Sequence, residues 1–457
     1  MLNYEEGAEN CILHGDKTSE VFLSEIIGAK PIKGRHLNME SIYEYGSRRG
    51  FWRIHDLFNK KKIPLTIFGV GMALERNKEV CSAIKKANYE VASHGWRWID
   101  YQNVSKKKEK NDMKLAVKSI KKIFGNQPAG WYTGRCSENT LDLVIDNGSF
   151  LYCSDTYSDD LPYWIKKGNK KQLMVPYTLD NNDMRFATNQ GFNSGEQFYN
   201  YLKDSFDALY EEGAENCTLH GDKTSEVFLS EIIGAKAIKG RHLNMESIYE
   251  YGSRRGFWRI HDLFNKKKIP LTIFGVGMAL ERNKEVCSAI KKAKYEVASH
   301  GWRWIDYQNV SKKKEKNDMK LAIKSIKKIF GTQPAGWYTG RCSANTLDLV
   351  IDNGNFLYCS DTYSDDLPYW IKKGNKKQLM IPYTLDNNDM RFATNQGFNS
   401  GEQFYNYLKY SFDALYEEGK YSPKMMSVGL HCRLIGRPGR IQSVSYTHLT
   451  LPTILLV

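Results

Sequence analysis

Short apolar runs alternate along the chain with longer stretches in which apolar residues recur at helical spacing. Over residues 38–62 the apolar positions follow one face of a helix, and similar patterns cover 75–87, 105–124, 139–146 and 194–209. Apolar or β-rich runs typical of buried strands occur at 64–70, 89–94, 130–132, 150–154 and 173–178. This alternation predicts an α/β fold in which helices flank a parallel sheet, either open or closed into a barrel.

The whole pattern occurs twice. Residues 4–209 and 210–415 differ at nine positions and are otherwise identical. A repeat of this length is the size of a domain and far longer than a solenoid unit. The sequence therefore predicts two near-identical copies, at 1–209 and 210–440, followed by a tail at 441–457.

The joints between the copies have an unusual form. The four-residue motif Tyr-Glu-Glu-Gly begins at Tyr4 in copy 1 and at Tyr210 in copy 2. It occurs a third time at Tyr416, directly after the repeated segment. Recombination or sequence misassembly at this short identity explains the duplication more simply than a tandem protein under selection. The segment 442–457 has no charged residue and resembles translated adaptor sequence. We expect it to form a loose terminal strand without function.

Composition narrows the class of protein. The chain is 41% hydrophobic and 26% charged, which is typical of a globular protein. It has no apolar run of about 18 residues, and its N-terminus lacks the basic and apolar regions of a secretory signal. None of the nine cysteines forms a Cys-x-x-Cys pair, so neither a disulfide scaffold nor a zinc knuckle is predicted. We predict a reduced, cytoplasmic protein without a membrane partner.

The net charge of +14 raises nucleic acid as a partner. The lysines do not concentrate, however, and acidic and polar residues interrupt their runs, as at 105–110. Such runs are typical of solvated helices and loops. We therefore predict no nucleic-acid partner.

Adjacent carboxylates stand at a predicted strand end in each copy. They are Glu5 and Glu6 in copy 1, and Glu211 and Glu212 in copy 2. We call the edge of the sheet at the carboxyl ends of the parallel strands the rim. Neighbouring residues of a strand point to opposite faces, so at most one carboxylate of each pair points into the rim. A carboxylate in that place can act as a general base on water, and ordinary surface acids are the alternative.

The other polar candidates also follow predicted strands, where α/β folds carry their functional residues. The histidine can be a ligand, an acid–base group or a structural residue, and the arginine can clamp a carbonyl or lie at the surface. The aspartate can orient the arginine or the histidine, and the tryptophan can pack the rim. These candidates are His94 and His300, Trp98 and Trp304, Arg135 and Arg341, Asp155 and Asp361, and His431, which occurs once.

Five sequence motifs, taken in order, resemble those of the polysaccharide deacetylase (NodB-homology) superfamily and, more closely, those of its allantoinase branch. They are 38–48, 92–101, 130–135, 154–164 and 429–433. The resemblance covers almost all of each copy. It implies an irregular (β/α) barrel of about seven strands, present here as two incomplete copies.

Departures from the superfamily pattern bear on the mechanism. Its metal-dependent members have Asp-Asp where this chain has Glu5 and Glu6, and His-x-x-x-His where the second position here is Trp98. Catalytic zinc takes three protein ligands, so one Glu and one His are a poor set. The usual Arg-x-Pro word is replaced by 132–134, with Arg135 as the substitute for its charge. The resemblance to allantoinases therefore implies no metal and no other cofactor.

The resemblance implies a hydrolase of carbon–nitrogen bonds that opens the cyclic amide of allantoin to allantoate in ureide catabolism. Glu5 or Glu211 would activate water, and His431 would protonate the leaving nitrogen or stabilise the oxyanion. The paired His, Trp, Arg and Asp candidates would hold the ring. Two alternatives stay open, a metal-dependent N-deacetylase of polysaccharides or chitooligosaccharides and a non-catalytic carbohydrate-binding relic. The predicted partners are a small ureide and a second copy of the chain in a homo-oligomer.

Neither copy contains every candidate. Copy 1 lacks the predicted strand that ends at His431, and the glutamate pair of copy 2 follows a helical pattern instead of a β-run. Copy 2 is the better candidate. We expect it to borrow the segment 1–6 from copy 1.

Overall fold

The chain folds into two compact units that do not follow the repeat boundary. The computed structural model describes residues 1–23, 29–188, 191–210, 224–225, 238–239, 243–394 and 397–450. Unit 1 comprises Met1–Asn182 and Thr218–Tyr251, and unit 2 comprises Asp183–Cys217 and Gly252–Val457. Each unit is therefore built mainly from one copy and takes one segment from the other. The division of the sequence at 209/210 remains a prediction about the repeat.

Unit 1 contains a seven-stranded sheet in which all neighbours are parallel except the last pair. Its spatial order is β1-β2-β3-β4-β5-β7-β6. The strands are β1 (Leu2–Tyr4), β2 (Thr66–Gly69), β3 (Glu90–Ser93), β4 (Gly130–Trp131), β5 (Tyr152–Cys153), β6 (Tyr163–Lys167) and β7 (Lys170–Met174). The sequence pattern predicted the parallel strands but not the hairpin of β6 and β7, whose outer strand is largely exposed.

Helices connect the parallel strands as predicted. They are α1 (Leu37–Tyr45), α2 (Phe51–Lys61), α3 (Gly71–Arg76), α4 (Lys78–Lys86), α5 (Lys106–Phe124) and α6 (Thr140–Asn147). A π-helical turn at Gly46–Gly50 joins α1 to α2. The long helix α5 begins where the Ser105 side chain accepts the Lys108 N–H, and it ends at Gly125 with a positive φ of 87°. Both signals are those expected for helix ends.

The helix α7 (Gly195–Tyr210) ends copy 1 but belongs to unit 2, and α8 (Leu243–Tyr251) of copy 2 belongs to unit 1. Between them, β8 (Thr224–Ser225) pairs antiparallel with β9 (Ile238–Lys239). The described part of α8 is nearly all buried, because Met245 and Ile248 join the apolar cluster of Phe68 and Tyr132. Unit 1 therefore completes its core with a helix from the second copy.

Unit 2 repeats the sheet without a first strand in its described part. Its six strands are ordered β10-β11-β12-β13-β15-β14. They are β10 (Thr272–Gly275), β11 (Glu296–Ser299), β12 (Gly336–Trp337), β13 (Tyr358–Cys359), β14 (Tyr369–Lys373) and β15 (Lys376–Met380). The helices are α9 (Phe257–Lys267), α10 (Gly277–Arg282), α11 (Lys284–Ala293), α12 (Lys312–Phe330), α13 (Thr346–Asn353), α14 (Gly401–Gly419) and α15 (Pro438–Thr450).

The tail differs from its prediction as a loose strand. Its first part belongs to α15, which packs against both α7 and α14. Ile441 and Val444 lie three residues apart on this helix and are buried in a core cluster with Phe404 and Ile435. Burial of that apolar face stabilises a helix. Residues 451–457 lie outside the described residues.

The α/β fold with two repeated, mainly parallel sheets is confirmed. Within the described residues no strand pairing joins β1 to β6, so each sheet is observed as an open run. None of the described helices is long and apolar enough to cross a membrane.

Candidate functional site

The carboxyl ends of β1 and β3 bring Glu5 and His94 together in unit 1. Both strands pair in parallel with β2, so their ends meet at one edge of the sheet. His94 Nε2 lies 3.1 Å from Glu5 Oε1, and both side chains are almost fully buried. A buried carboxylate beside an imidazole can accept, hold or pass a proton.

Glu6 points away from that pair. Its Oε2 accepts the backbone N–H of Glu5 at 2.9 Å, and its carboxylate lies so close to Gly46 that a Cβ there would be 2.6 Å from Oε1. Burial, and to a smaller extent the neighbouring Glu5 charge, raises the pKa of Glu6 to about 7. The two adjacent glutamates thus have different surroundings, as their alternation along an extended chain predicts.

Asp155 stabilises the loop after β4. Its carboxylate accepts the backbone N–H groups of Thr133 and Gly134 at 2.8 and 2.9 Å, and the Thr133 hydroxyl at 3.0 Å. Loss of hydration raises the pKa of Asp155 to about 6, although these donors oppose the shift. We expected Asp155 to orient an arginine or a histidine, and its hydrogen bonds go to the loop instead. Asp361 makes the same bonds in unit 2, to Thr339 and Gly340.

The arginine and the tryptophan of the rim form a stacked pair in both units. The Arg135 guanidinium lies 4.0 Å from the Trp98 ring centre, and Arg341 lies at the same distance over Trp304. Arg433 contacts Trp304 as well, at 4.8 Å. The tryptophan therefore stacks on a cation at the position where the resemblance implies a second histidine in metal-dependent members of the superfamily.

The histidine after β11 has other partners than its counterpart His94. His300 Nδ1 lies 3.0 Å from the backbone carbonyl oxygen of Tyr338. Burial, and then the nearby His431, lowers the pKa of His300 to about 3. His300 is therefore neutral at physiological pH. Glu211 and Glu212, the glutamates of this copy, lie outside the described residues.

His431 is fixed by a residue that the sequence analysis did not identify. Asp389 Oδ1 lies 2.6 Å from His431 Nδ1, and Asp389 Oδ2 accepts the backbone N–H groups of His431 and Ile435. Asp389 is fully buried. Such a carboxylate orients the imidazole. Residues 386–389, Asp-Asn-Asn-Asp, form a polar segment soon after a strand. Their place after that strand is the one sequence signal that could have identified Asp389.

Two expectations about this region are wrong. The segment before His431 is not a strand, because only Gly429 forms an isolated bridge, to Asn388. Copy 2 does not borrow the segment 1–6, because β1 pairs with β2 inside unit 1. Glu5 therefore contacts a histidine of its own copy, His94.

The residues that the structure describes do not fit a catalytic zinc centre. Among the described residues no group of three or more His, Cys, Asp or Glu side chains could hold a metal ion. His94 Nε2 faces Glu5, Glu6 packs against Gly46, and Trp98 stacks on an arginine. Zinc in enzymes takes three protein ligands and an open position.

Comparison with known proteins gives the relatives of the chain. The polysaccharide deacetylase family model matches residues 39–148 and again 245–353. A Schizosaccharomyces pombe protein named "Putative polysaccharide deacetylase" is 43% identical over 260 residues, which cover 52% of this chain and 81% of that protein.

Two solved structures are similar over the same share of the chain. A structure described as a "probable Polysaccharide deacetylase" from Pseudomonas aeruginosa PAO1 is 55% identical, with a TM-score of 0.49, and covers 52% of this chain and 80% of its own. PuuE allantoinase is 52% identical, with the same TM-score and the same coverage of both chains. The two matches to the family model and the extent of the fission-yeast relative show that this chain belongs to the polysaccharide deacetylase family.

Proposed function

We propose that the chain hydrolyses a carbon–nitrogen bond in a small cyclic ureide, most simply the ring amide of allantoin, to give allantoate without a metal ion. The observation that carries the proposal is the rim itself, in which a glutamate faces a single histidine and an arginine-stacked tryptophan takes the second histidine position. The motif words of the allantoinase branch point to the same substrate. Allantoinase is also the name of the 52% identical PuuE structure.

Ring opening of an amide needs two proton transfers. Water must lose a proton as it attacks the carbonyl carbon, and the leaving nitrogen must gain one as the bond breaks. A carboxylate at the end of the first strand is suited to the first step. Glu5 in unit 1 shows how such a carboxylate lies beside the rim histidine. We assign the step in copy 2 to the sequence counterpart Glu211, which follows α7.

His431 is suited to the second transfer. Its Nδ1 is engaged by Asp389, so its Nε2 is the end that can face a substrate. The buried Asp389 carboxylate fixes the ring, and Nε2 of the protonated imidazole can then donate a proton to the leaving nitrogen. Because only copy 2 contains His431, we assign the active rim to copy 2.

Arg341 and His300 provide the remaining polar surface. Stacking on Trp304 fixes the guanidinium plane, and a fixed guanidinium can donate to the carbonyl oxygens of a ureide. His300 is held neutral and can donate or accept a hydrogen bond without adding charge. A planar ring with several carbonyl and N–H groups matches this set.

The test measures consumption of allantoin by the full chain after treatment with excess chelator. We expect turnover to persist, because no step of the proposal uses a metal. Activity that disappears with chelator and returns with zinc would overturn the metal-independent mechanism.

The deacetylase alternative is favoured by family membership and by the name of the fission-yeast relative. It predicts acetate release from N-acetylated sugar oligomers that zinc stimulates. Sugar binding without turnover of either substrate would instead indicate a non-catalytic protein.

A further inference from the structure

The same four-residue motif is largely buried in unit 1 and exposed in unit 2. Tyr-Ser-Asp-Asp occurs at 157–160 and at 363–366. Tyr157 is 1% exposed, whereas Tyr363 is 47% exposed. Ser158 and Asp159 are buried, and their counterparts Ser364 and Asp365 are exposed. Since the local sequence is identical, something in unit 1 covers this surface and is missing from it in unit 2.

Helix α8 covers the surface in unit 1. Met245 and Ile248 share an apolar cluster with Tyr157 and Tyr177. At the two ends of the helix, hydrogen bonds fix its position. The Tyr251 hydroxyl donates to Asp160 at 3.0 Å, and the Asn244 amide donates to the carbonyl oxygen of Gly134 at 2.9 Å.

The equivalent surface of unit 2 lines an open cavity of about 770 Å³. Tyr363, Tyr383 and Asp366, the counterparts of the residues that α8 contacts, all lie in its wall. The same difference reaches the next loop, because Cys136 is buried against Asn244 while Cys342 is only partly buried. This cavity is thus a ready-made groove for a helix with the sequence of α8.

The chain carries a second helix of that sequence, in which part of the matching face is exposed. Helix α1 has the same nine residues as α8. It uses Met39 and Tyr43 to pack into unit 1. Ile42 and Tyr45 remain 40% and 52% exposed, and Asn38 beside them is exposed as well. Residues 38, 42 and 45 form one stripe at i, i+4 and i+7 and correspond to Asn244, Ile248 and Tyr251.

We propose that α1 of one chain docks in the unit 2 cavity of a second copy of this chain. Both surfaces are exposed within one chain, and an identical helix on an identical surface is already seen in unit 1. Ile42 would pack between the cavity tyrosines, and the Tyr45 hydroxyl would donate to Asp366. That hydroxyl already accepts from Arg53 at 2.7 Å, so its own proton is suited to a carboxylate.

Reciprocal docking would close a pair of chains. Each chain has one such helix and one such groove, so two chains can each supply a helix to the other. Two helix dockings bury more surface than one, which favours a stable dimer over a single transient contact.

A native cysteine allows a direct test. In unit 1 the Cys136 Sγ lies 3.1 Å from Asn244 Oδ1, so Asn38→Cys in the docked helix would face Cys342 of the second copy. Under mild oxidation we expect a disulfide-linked species of twice the chain mass, with a peptide joining positions 38 and 342. Adding Cys342→Ser should abolish it, and Leu57→Cys, exposed on α2, should not form it.

The outcomes of the cross-linking test are distinct. A link between 38 and 342 within a single chain would overturn docking on a second copy. Absence of the link, or equal linking by Leu57→Cys, would overturn the proposal altogether.

Sedimentation equilibrium provides a measurement without new cysteines. The weight-average mass of the full chain should rise with concentration from 52.7 kDa toward twice that value. Ile42→Asp should weaken association by roughly 10-fold or more, because it places a charge against the tyrosines. Leu57→Asp, at a site on α2 that is 52% exposed, should leave association unchanged. A mass that stays at one chain across concentrations would overturn the proposal.

Discussion

His94 and His300 occupy the same position in two copies of nearly the same sequence, yet their rings differ in partner and in angle. His94 lies against Glu5 and makes a ring angle of 64° with Tyr132. His300 lies against a backbone carbonyl and makes an angle of 31° with Tyr338. The first unit has a strand that carries Glu5, and the described part of the second has His431 nearby instead. Segments distant in sequence therefore decide what the rim histidine can do.

The covering helix adds a second difference. Unit 1 fills the space beside Tyr177 with α8, whereas the counterpart Tyr383 lies against Gly429 and the cavity of unit 2. In unit 1 the Glu5 carboxylate is buried, and α8 covers the surface around Tyr177. In unit 2 Asp389 fixes His431, and the equivalent surface around Tyr383 is open. The comparison indicates that unit 2 has a free surface where unit 1 is covered by its own chain.

Replacing one glutamate of each copy tests this assignment most severely. We expect Glu211→Gln to lower allantoin turnover by roughly 10²- to 10⁴-fold, since it removes the general base of the active rim. The matched variant Glu5→Gln changes the same residue in the covered unit and should leave turnover near that of the unchanged chain. The measurement is kcat with allantoin for both variants. Loss of turnover only in Glu5→Gln would reverse the assignment of the units.

The tyrosine at the covered surface should matter more for stability than its exposed counterpart. Tyr157→Ala removes a buried ring packed with α8 and should lower the free energy of unfolding by about 3 kcal/mol. At concentrations where the chains do not associate, Tyr363→Ala removes a half-exposed ring and should cost less than about 1 kcal/mol. Thermal and denaturant unfolding of the full chain can compare them. Equal costs would show that the two surfaces are covered alike in solution.

Asp389 should act through His431. Asp389→Asn keeps the shape but removes the charge that holds the imidazole, so we expect kcat to fall roughly 10- to 100-fold. A role in positioning also predicts a changed pH profile of kcat, which a purely structural defect would not produce. Asp183, its counterpart in copy 1, is exposed, and Asp183→Asn serves as the control. An unchanged pH profile in Asp389→Asn would contradict this role.

The smallest expected effect concerns the pH dependence of stability. Burial raises the pKa of Glu6 from its ordinary 4.5 to about 7 in the folded chain. The folded state therefore holds this proton more tightly than the unfolded state. The resulting stabilisation is fully present below the unfolded value and is lost as pH rises toward 7.

Glu6→Gln should remove that dependence. Between about pH 5 and about pH 8, we expect the change in free energy of unfolding to differ from that of the unchanged chain by on the order of 1–2 kcal/mol. Denaturant unfolding at the two pH values measures it, with Glu212→Gln as the matched variant. Identical pH slopes for Glu6→Gln and the unchanged chain would contradict the burial of a titrating Glu6.

The sequence by itself predicted the repeat, the alternation of helices and strands, and the edge of the sheet that carries the polar residues. These features follow from local patterns, since apolar spacing and helix-end residues act over a few positions. The helix α5 and its capping residues Ser105 and Gly125 are one example. The placement of Glu5 and His94 at strand ends is another, because parallel neighbours bring such ends together.

Only the tertiary structure decided how the copies share their segments and which groups meet. Asp389 and His431 are 42 residues apart, and no spacing rule relates them. Helices α1 (Leu37–Tyr45) and α8 (Leu243–Tyr251) have the same sequence. One face of α1 is nevertheless exposed, whereas α8 is nearly all buried in unit 1. The first part of the tail is helical because it packs against α7 and α14 and buries Ile441 and Val444 in an apolar cluster. The physical reason is that burial depends on what the rest of the chain brings near a residue, which nearly identical local sequences cannot distinguish.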